Sequence, residues 1–473
     1  MTASHPLQVG LLLLVIGTGW CAHSVAGEDA PKPHGSLFRA LAGDTLQREH
    51  NIALLGMAHV SLSAANHNIS RTQLPQGRAR GIQPQSGVLQ DTGLNLQHVG
   101  LMLCKGAGCP PGHVFKPNRN VLSRVTPLPG PRGDEVIVDW TISALYGEDA
   151  VFWATKGFDD FSWQADKPHR LAITQWYLDI FLPIFDGVSL LVGSWHSPLS
   201  AEIGYPFIPP NWFSSRTYIF AAAPTKHVGA LAQAKLPLDP AYGLLSFSFG
   251  VASDWGSIDF GSGGGGPQFI FGLRWRSPDM QTWLDFEAVY GNGEDDFGDV
   301  RVVDGIARPR GGGSQYLALS STNEYLDRFA AFWTLNHKAT DRIDITAEAA
   351  YGYQEGGDLA PLPFAVTRDS EFYGANAGFR YRIAPRWHAG ARFEWFRDEH
   401  AVNVLWGGVG ATGGDVYATT LNVTYEPIPY LAIRPELNFD AYDGGGHLFA
   451  ADTSGLAQHD EQLLGVINFE FRF

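Results

Sequence analysis

The sequence predicts a closed antiparallel β-barrel that crosses a membrane with about 16 strands, within a range of about 14 to 18. Three observations support this fold class. Many long segments alternate apolar and polar residues with the two-residue period of a β-strand. The N-terminus reads as an export signal, yet no later apolar run is long enough for a transmembrane helix. The connections between the predicted strands alternate between short turns and long loops.

The first 26 residues read as a secretory signal peptide. A short apolar run covers residues 7–20, and Ser-Val-Ala at 24–26 forms a small-x-small cleavage site. This run is too short to cross a bilayer as a helix. His5 stands where a signal usually carries lysine or arginine, so the start codon and the cleavage site are left open.

Charge and motifs exclude several classes of function. The chain carries 33 Lys and Arg against 48 Asp and Glu, and its formal net charge of -15 argues against nucleic acid as a partner. The sequence has no nucleophile elbow, zinc-protease motif or phosphate-binding loop. We therefore expect no enzyme activity, no cofactor and no metal site.

The alternation is clear in residues 342–354. Ile343 and Ile345 fall on one face of the segment, whereas Asp344 and Thr346 fall on the other. Long strands with one apolar and one charged face are typical of a barrel wall with lipid outside and water inside. The predicted strands are 52–64, 93–105, 134–146, 168–182, 186–197, 225–236, 241–254, 266–277, 281–292, 325–337, 341–354, 370–383, 386–398, 416–426, 429–442 and 460–473.

The connections between these strands indicate the orientation of the barrel. Short turns are typical of the periplasmic side of an outer-membrane barrel, and long loops are typical of the external side. An even number of strands then places both termini in the periplasm. The predicted short turns are 183–187, 277–280, 338–341, 383–386 and 427–429, and the long loops are 198–224, 293–324, 355–369, 399–415 and 443–459.

The chain is thus divided into a signal peptide (1–26), a periplasmic segment (27–50) with a short helix as an option, and the barrel (51–473). One connection breaks the alternation, because residues 106–133 form a long insertion where a short periplasmic turn is expected. Cys104 and Cys109 flank its start, and an oxidising compartment favours a disulfide between them. Two cysteines are too few for a zinc site.

The last predicted strand ends the chain with three aromatic residues on one face. Phe469, Phe471 and Phe473 alternate with the polar residues Glu470 and Arg472. We expect this aromatic face to contact lipid and the strand to close the barrel against the first strand. A terminal aromatic pattern ending in phenylalanine resembles the signal that the barrel-insertion machinery reads.

Short motifs in the second to sixth strands, and one in a late strand, follow each other in an order that resembles a known family. They are LNLQ (94–97), ALYGEDA (144–150), QWYLDI (175–180), GSWHSP (193–198), NWFSSRTY (211–218), PTKHVG (224–229) and GARFEWFRDE (390–399). Together they resemble the putative beta-barrel porin-2 family of Gram-negative outer membranes. The resemblance implies a diffusion channel whose solute is poorly defined. In that family a glutamate usually follows a Gly-Tyr pair; here Pro206 does, and Glu202 is the nearest acid.

The loop at 198–224 is unusually apolar for a solvent-exposed connection, with Trp212 and Phe213 among its aromatic residues. We expect it to fold into the barrel as a constriction, with Glu202, Arg216 and Lys226 flanking the narrowest point. Packing on the rim or a contact with another subunit is the alternative.

Charged residues on the water-facing side of late strands are candidates for lining the pore. A lumen of about sixteen strands is wide enough for water, so these charges set the field that ions feel. The same residues could form a salt-bridged ladder that stabilises the wall, and both interpretations are compatible. The candidates are Arg392, Glu394, Arg434, Glu436 and Asp440.

The sequence therefore favours a bacterial outer-membrane porin that passes small hydrophilic solutes or ions with a weak cation preference. A structural or receptor-like barrel without an open channel is the alternative, and a barrel-embedded hydrolase ranks third. The expected partners are outer-membrane lipid, lipopolysaccharide, the barrel-insertion machinery and the solutes. A homo-oligomer is compatible with these data, and the sequence does not distinguish a monomer from a trimer.

Overall fold

The computed structural model describes residues 50, 52–66, 93–105, 134–153, 155, 158–159, 169–185, 187–202, 211–253, 267–293, 300–303, 306–309, 326–355, 369–400, 413–428, 430–451 and 457–472. Sixteen strands within these ranges form one closed barrel, in which every strand is antiparallel to both neighbours.

The barrel strands follow the order of the chain. The first nine are β1 (Ile52–Ala65), β2 (Gly93–Lys105), β3 (Ile137–Gly147), β4 (Arg170–Leu182), β5 (Val188–His196), β6 (Lys226–Leu236), β7 (Leu244–Ala252), β8 (Gln268–Arg276) and β9 (Thr282–Gly293). A separate hairpin follows, formed by β10 (Val300–Val303) and β11 (Ile306–Pro309).

The barrel then continues with β12 (Leu326–Lys338), β13 (Ile343–Gln354), β14 (Ser370–Ala384), β15 (Trp387–Asp398), β16 (Gly414–Ile428) and β17 (Leu431–Gly444). A second hairpin, β18 (Phe449–Ala451) and β19 (Ala457–His459), precedes the last barrel strand β20 (Glu461–Arg472). The helical elements of the described chain include α1 (Tyr218–Ala222) and two single 3-10 turns, Asp149–Phe152 and Pro240–Tyr242.

The predicted fold class is confirmed. Each of the sixteen observed barrel strands falls on its predicted segment, because the two-residue period of hydrophobicity extends over nearly the whole length of each strand. The two short hairpins were not predicted. They lie within long connections, where no sustained alternation marks them.

The inside and outside of the wall follow the predicted parity. On β13, Ile345 is 37% exposed and faces outward beside Phe379 of β14, which is 45% exposed. On the same strand, the inward-facing Glu348 is only 3% exposed. Large apolar side chains are therefore on the outer surface, as expected for a wall that contacts lipid.

The first and last strands close the barrel. β1 pairs with β20 in an antiparallel register that places Val60 opposite Phe469 and Ala58 opposite Phe471. Glu470 and Arg472 point inward and are buried. Phe473, the end of the predicted assembly signal, lies outside the described residues, so that role stays a prediction.

Short turns and long connections lie at opposite ends of the barrel, except that the long connection between β2 and β3 lies at the end with the short turns. We call the end with the short turns the inner end and the other the outer end. The turn after β6 needs Gly243, which has φ 101° and whose added Cβ would lie 1.9 Å from the carbonyl oxygen of Arg276.

Several sequence predictions fall outside the described residues. They concern the signal peptide, the segment at 27–49 and the insertion at 106–133 with Cys109. Cys104 is fully buried at the inner end of β2, and its disulfide with Cys109 stays a prediction. None of the helices in the described part of the chain is long and apolar enough to span a membrane.

Candidate functional site

The connection between β5 and β6 lies inside the barrel. Its described residues, 197–202 and 211–225, contact inward-facing side chains on each of the strands β13 to β17, which form the wall opposite β5 and β6. We call these residues the lumen segment. Residues 203–210 of the predicted loop lie outside the described chain.

The lumen segment is organised around the short helix α1. Thr217 is the N-cap residue, and its side-chain oxygen accepts a hydrogen bond from the backbone N–H of Phe220 at 3.0 Å. All five residues of α1 are buried. Tyr218 packs beside Phe396 of β15 with ring centroids 6.0 Å apart. The apolar character of the loop is thus explained by burial against the opposite wall.

Two wall glutamates hold the backbone of the lumen segment. The carboxylate of Glu436 on β17 accepts the N–H groups of Ser214 (2.7 Å) and Ser215 (2.8 Å). The carboxylate of Glu394 on β15 accepts the N–H groups of Tyr218 (3.0 Å) and Ile219 (2.9 Å). Both oxygens of each side chain act as acceptors, which is the geometry of an ionised carboxylate.

A third wall glutamate, Glu348 on β13, binds the other arm of the lumen segment. Its carboxylate accepts the N–H of Ala201 at 2.8 Å and the side-chain amide of Asn376 on β14, also at 2.8 Å. The sequence placed Glu348 on the water-facing side of its strand but gave no reason to select it as a site residue.

Arg392 on β15 connects the two arms of the lumen segment. Its Nη1 donates to Glu202 Oε1 at 2.5 Å, and its Nη2 donates to Ser215 Oγ at 3.0 Å. Its guanidinium lies 4.8 Å from the ring centroid of Phe213. Glu202 in turn accepts the backbone N–H of Thr217 at 2.7 Å. The structure therefore brings Arg392 of the wall together with Glu202 of the loop, a pairing that the sequence did not predict.

Arg216 lies in the same segment but does not extend across the lumen. It is 9% exposed, and its Nη1 donates to the carbonyl oxygens of Ser214 at 3.0 Å and Phe213 at 3.3 Å. Burial lowers the pKa of the Arg216 guanidinium, and the nearby Glu202 carboxylate partly opposes that shift. Arg216 thus stabilises the turn that precedes α1.

The structure does not bring Lys226 to this cluster. Its ammonium group is 1% exposed and donates to the carbonyl oxygens of Trp153 and, at 3.2 Å, Ile173. These partners belong to the β3–β4 connection and to β4. The expectation that Lys226 flanks the narrowest point together with Arg216 is therefore not met. Lys226 instead joins two neighbouring parts of the wall.

The expected ladder between neighbouring wall charges is replaced by other pairings in the described chain. Arg392 pairs with Glu202, while Glu394 binds backbone amides. Arg434 lies 3.7 Å from Glu470 and not beside Glu436. The carboxylates of Glu394 and Glu436 thus accept N–H groups of the lumen segment.

Glu470 is the centre of a second polar cluster, which the sequence did not identify. It contacts His59 of β1 at 3.1 Å, Arg434 of β17, and Arg472 of its own strand. Three strands at the closure of the barrel therefore share one buried carboxylate.

Asp440, the remaining candidate, is buried on the inward face of β17. It lies near Asn438, whose side-chain oxygen accepts a hydrogen bond from Ser215 Oγ at 3.0 Å.

The described residues show no group of three or more His, Cys, Asp or Glu side chains that could hold a metal ion. The site is instead a set of carboxylates and guanidinium groups that hold a main-chain segment across a polar lumen.

A family model described as putative beta-barrel porin-2, OmpL-like, matches residues 130–473. None of the curated proteins matches the chain significantly.

Solved structures with a similar fold include two outer-membrane proteins. The outer membrane channel DcaP of Acinetobacter baumannii aligns with 89% of this chain and 97% of its own at 13% identity, with a TM-score of 0.47. An anion-selective porin from Comamonas acidovorans aligns with 90% of this chain and 100% of its own at 10% identity, with a TM-score of 0.49.

Proposed function

Because the chain belongs to the putative beta-barrel porin-2, OmpL-like family, we propose that its barrel is a passive diffusion channel for small hydrophilic solutes and ions, narrowed by the lumen segment. The family places the barrel in the bacterial outer membrane. The observation that supports the constriction is that residues 211–219, which belong to the connection between β5 and β6, bind Glu394 and Glu436 on the opposite wall of the barrel.

The charges around the lumen segment support a weak cation preference. Four carboxylates belong to the lumen segment or hydrogen-bond to it (Glu202, Glu348, Glu394, Glu436), against two guanidinium groups that do so (Arg216, Arg392). A third guanidinium, that of Arg380 beside Trp212, is paired with Asp344. Backbone amides bind all four carboxylates without neutralising their charge. A negative potential at a narrow point raises the local cation concentration. The cation preference stays weak because the charges of Arg392 and Glu202 cancel in their ion pair.

Planar bilayers test both parts of the proposal. We expect stable unitary conductance in KCl and, under a KCl gradient, a reversal potential of the cation-selective sign. The potential should shrink as salt rises, because salt screens exposed charges within about 10 Å at 0.1 M and about 3 Å at 1 M. Anion selectivity would contradict the charge argument. Complete absence of conductance would favour a structural or receptor-like barrel.

Liposome swelling with a panel of sugars, amino acids and ions identifies the solutes that pass. Contacts with lipopolysaccharide and the number of subunits are separate proposals. Chemical cross-linking of the membrane-inserted protein distinguishes a monomer from a trimer.

A further inference from the structure

The inner end of the lumen between β12 and β15 concentrates basic side chains that water can reach. Arg380 and Arg382 lie on the inward face of β14, and His388 lies opposite Arg382 on β15. The Arg380 side chain is 18% exposed, against 5% for Arg392 farther from the inner end. This group is therefore accessible from the inner end, unlike the guanidinium that holds the lumen segment.

An aromatic ring from the lumen segment lies beside these cations. The Arg380 guanidinium is 5.3 Å from the ring centroid of Trp212, and the indole is only half-buried. The carbonyl oxygen of Trp212 accepts a hydrogen bond from the Asn422 side chain of β16 at 2.5 Å. The next residue, Phe213, is fixed by Arg392. Trp212 is thus held in place by its backbone while part of its ring stays open to the lumen.

The polar groups around Trp212 have fixed orientations. Asp344 on β13 accepts from Arg380 Nη2 at 2.6 Å, and Arg382 donates to the carbonyl oxygen of Asp341 at 2.6 Å. The Nδ1 atom of His388 is buried and has no hydrogen-bond partner in the described part of the chain. Because that atom is closed to solvent, the exposed Arg382 is the residue of this pair that offers hydrogen-bond donors to a solute beyond its internal contact.

The sector as a whole has a surplus of positive charge. Its basic residues outnumber its acidic residues by five to three: Lys338, Arg342, Arg380, Arg382 and Arg386 against Asp341, Asp344 and Glu426. The wall carboxylates lie farther from the inner end, since Glu394 is six positions beyond His388 along β15. An anion that enters from the inner end reaches this sector before it meets them.

We propose that Trp212, Arg380 and Arg382 form a binding site for solutes that carry a carboxylate on a flat ring. The ring contacts the indole of Trp212, and the carboxylate faces Arg382. A cation beside an aromatic platform matches such a solute because stacking and a charge-assisted hydrogen bond act together. This inference rests on the proposed channel function and specifies one solute class.

Single-channel recording with three probes tests the site. Benzoate combines the ring and the carboxylate, benzamide has the ring without the charge, and acetate has the charge without the ring. We expect millimolar benzoate to reduce the KCl current in a saturable manner, with at least fivefold weaker effects of benzamide and acetate. Raising KCl from 0.1 to 1 M should weaken the benzoate effect, since screening acts on the carboxylate contact.

Two variants and a matched control locate the site. Trp212→Leu should raise the benzoate concentration for half-maximal block by about fivefold, as expected for one stacking contact. Arg382→Gln should raise it by about tenfold or more, as expected for one hydrogen bond between charged groups. Arg386→Gln removes the same charge from the exposed turn between β14 and β15, and it should change that concentration less than twofold.

Three outcomes overturn the inference: equal block by benzamide, unchanged block in both site variants, or an equal loss in Arg386→Gln. The unitary KCl conductance of Trp212→Leu shows whether the lumen segment has moved, and Arg382→Gln tests the site independently of that segment. If the channel conducts KCl but benzoate does not reduce the current, the binding site is refuted and the channel function is not. A protein without KCl conductance refutes the channel itself.

Discussion

At the scale of single residues, Glu394 and Glu436 do more than contribute charge to the wall. Each carboxylate accepts two consecutive backbone N–H groups of the lumen segment. A glutamine at either position has one oxygen acceptor, and its NH₂ group would face an N–H donor. The substitution preserves size but replaces one hydrogen bond with a donor–donor contact.

We therefore expect Glu394→Gln to loosen α1 without unfolding the barrel. Leaving a buried donor unsatisfied costs about 1–3 kcal/mol, and hydrogen bonds to charged groups lie at the upper end. The unitary conductance should become larger and noisier, and the cation preference should fall. Single-channel recording measures the conductance, and reversal potentials measure the preference.

The matched control is Glu461→Gln, which removes a carboxylate at an exposed position at the start of β20. It should leave the unitary conductance unchanged. If Glu394→Gln conducts like the unmodified channel, the carboxylate does not hold the constriction.

At the scale of elements, the register of a strand decides which side chains contact lipid. Ile345 and Thr346 are neighbours on β13, yet Ile345 faces outward and Thr346 faces the lumen, where its methyl group lies near Gly378. Because side chains alternate across the wall, a shift of one residue would exchange the two environments.

Ile345→Arg should impair folding, because a positive charge on the lipid face costs from about 1 kcal/mol near an interface to roughly 2–4 kcal/mol at the midplane, and Ile345 is the third residue of the 12-residue strand β13. Thr346→Arg should be tolerated, since the new side chain reaches water. Heat-modifiable migration in gels reports the folded fraction of both variants. Equal damage by the two substitutions would mean that the register is different.

The strands and their faces could be predicted from the sequence because the two-residue period is a local property. For β13, residues 342–354 alone show which side chains face lipid and which face the lumen. The site required contacts that no local pattern reveals: Ser215 and Glu436 are 221 positions apart. Lys226 illustrates the limit, since its sequence position beside the loop suggested the lumen, whereas its ammonium group bonds carbonyl oxygens of Trp153 and Ile173.

At the scale of the whole molecule, barrel closure depends on a buried ion cluster as well as on backbone pairing. Glu470 on β20 contacts His59 on β1 and Arg434 on β17, so it connects the last strand to both of its neighbours. Removing a buried partner leaves uncompensated charge, which costs about 3–5 kcal/mol.

Glu470→Gln should therefore lower the stability of the whole barrel more than any single change in the lumen segment. Urea unfolding followed by tryptophan fluorescence measures the midpoint. The substitution Glu461→Gln on the same strand serves again as the control and should shift the midpoint little. A stability equal to that of the control would show that backbone pairing alone closes the barrel.

The wall holds the lumen segment mainly through its main chain. Ser214, Ser215, Tyr218 and Ile219 are bound through their N–H groups, which every amino acid except proline provides. Trp212, a half-exposed residue of this segment, can thus be exchanged without changing these four hydrogen bonds. In the proposed channel, the barrel is therefore a constant scaffold: substitutions at a few positions of the lumen segment can change selectivity while the assembly and closure of the barrel stay the same.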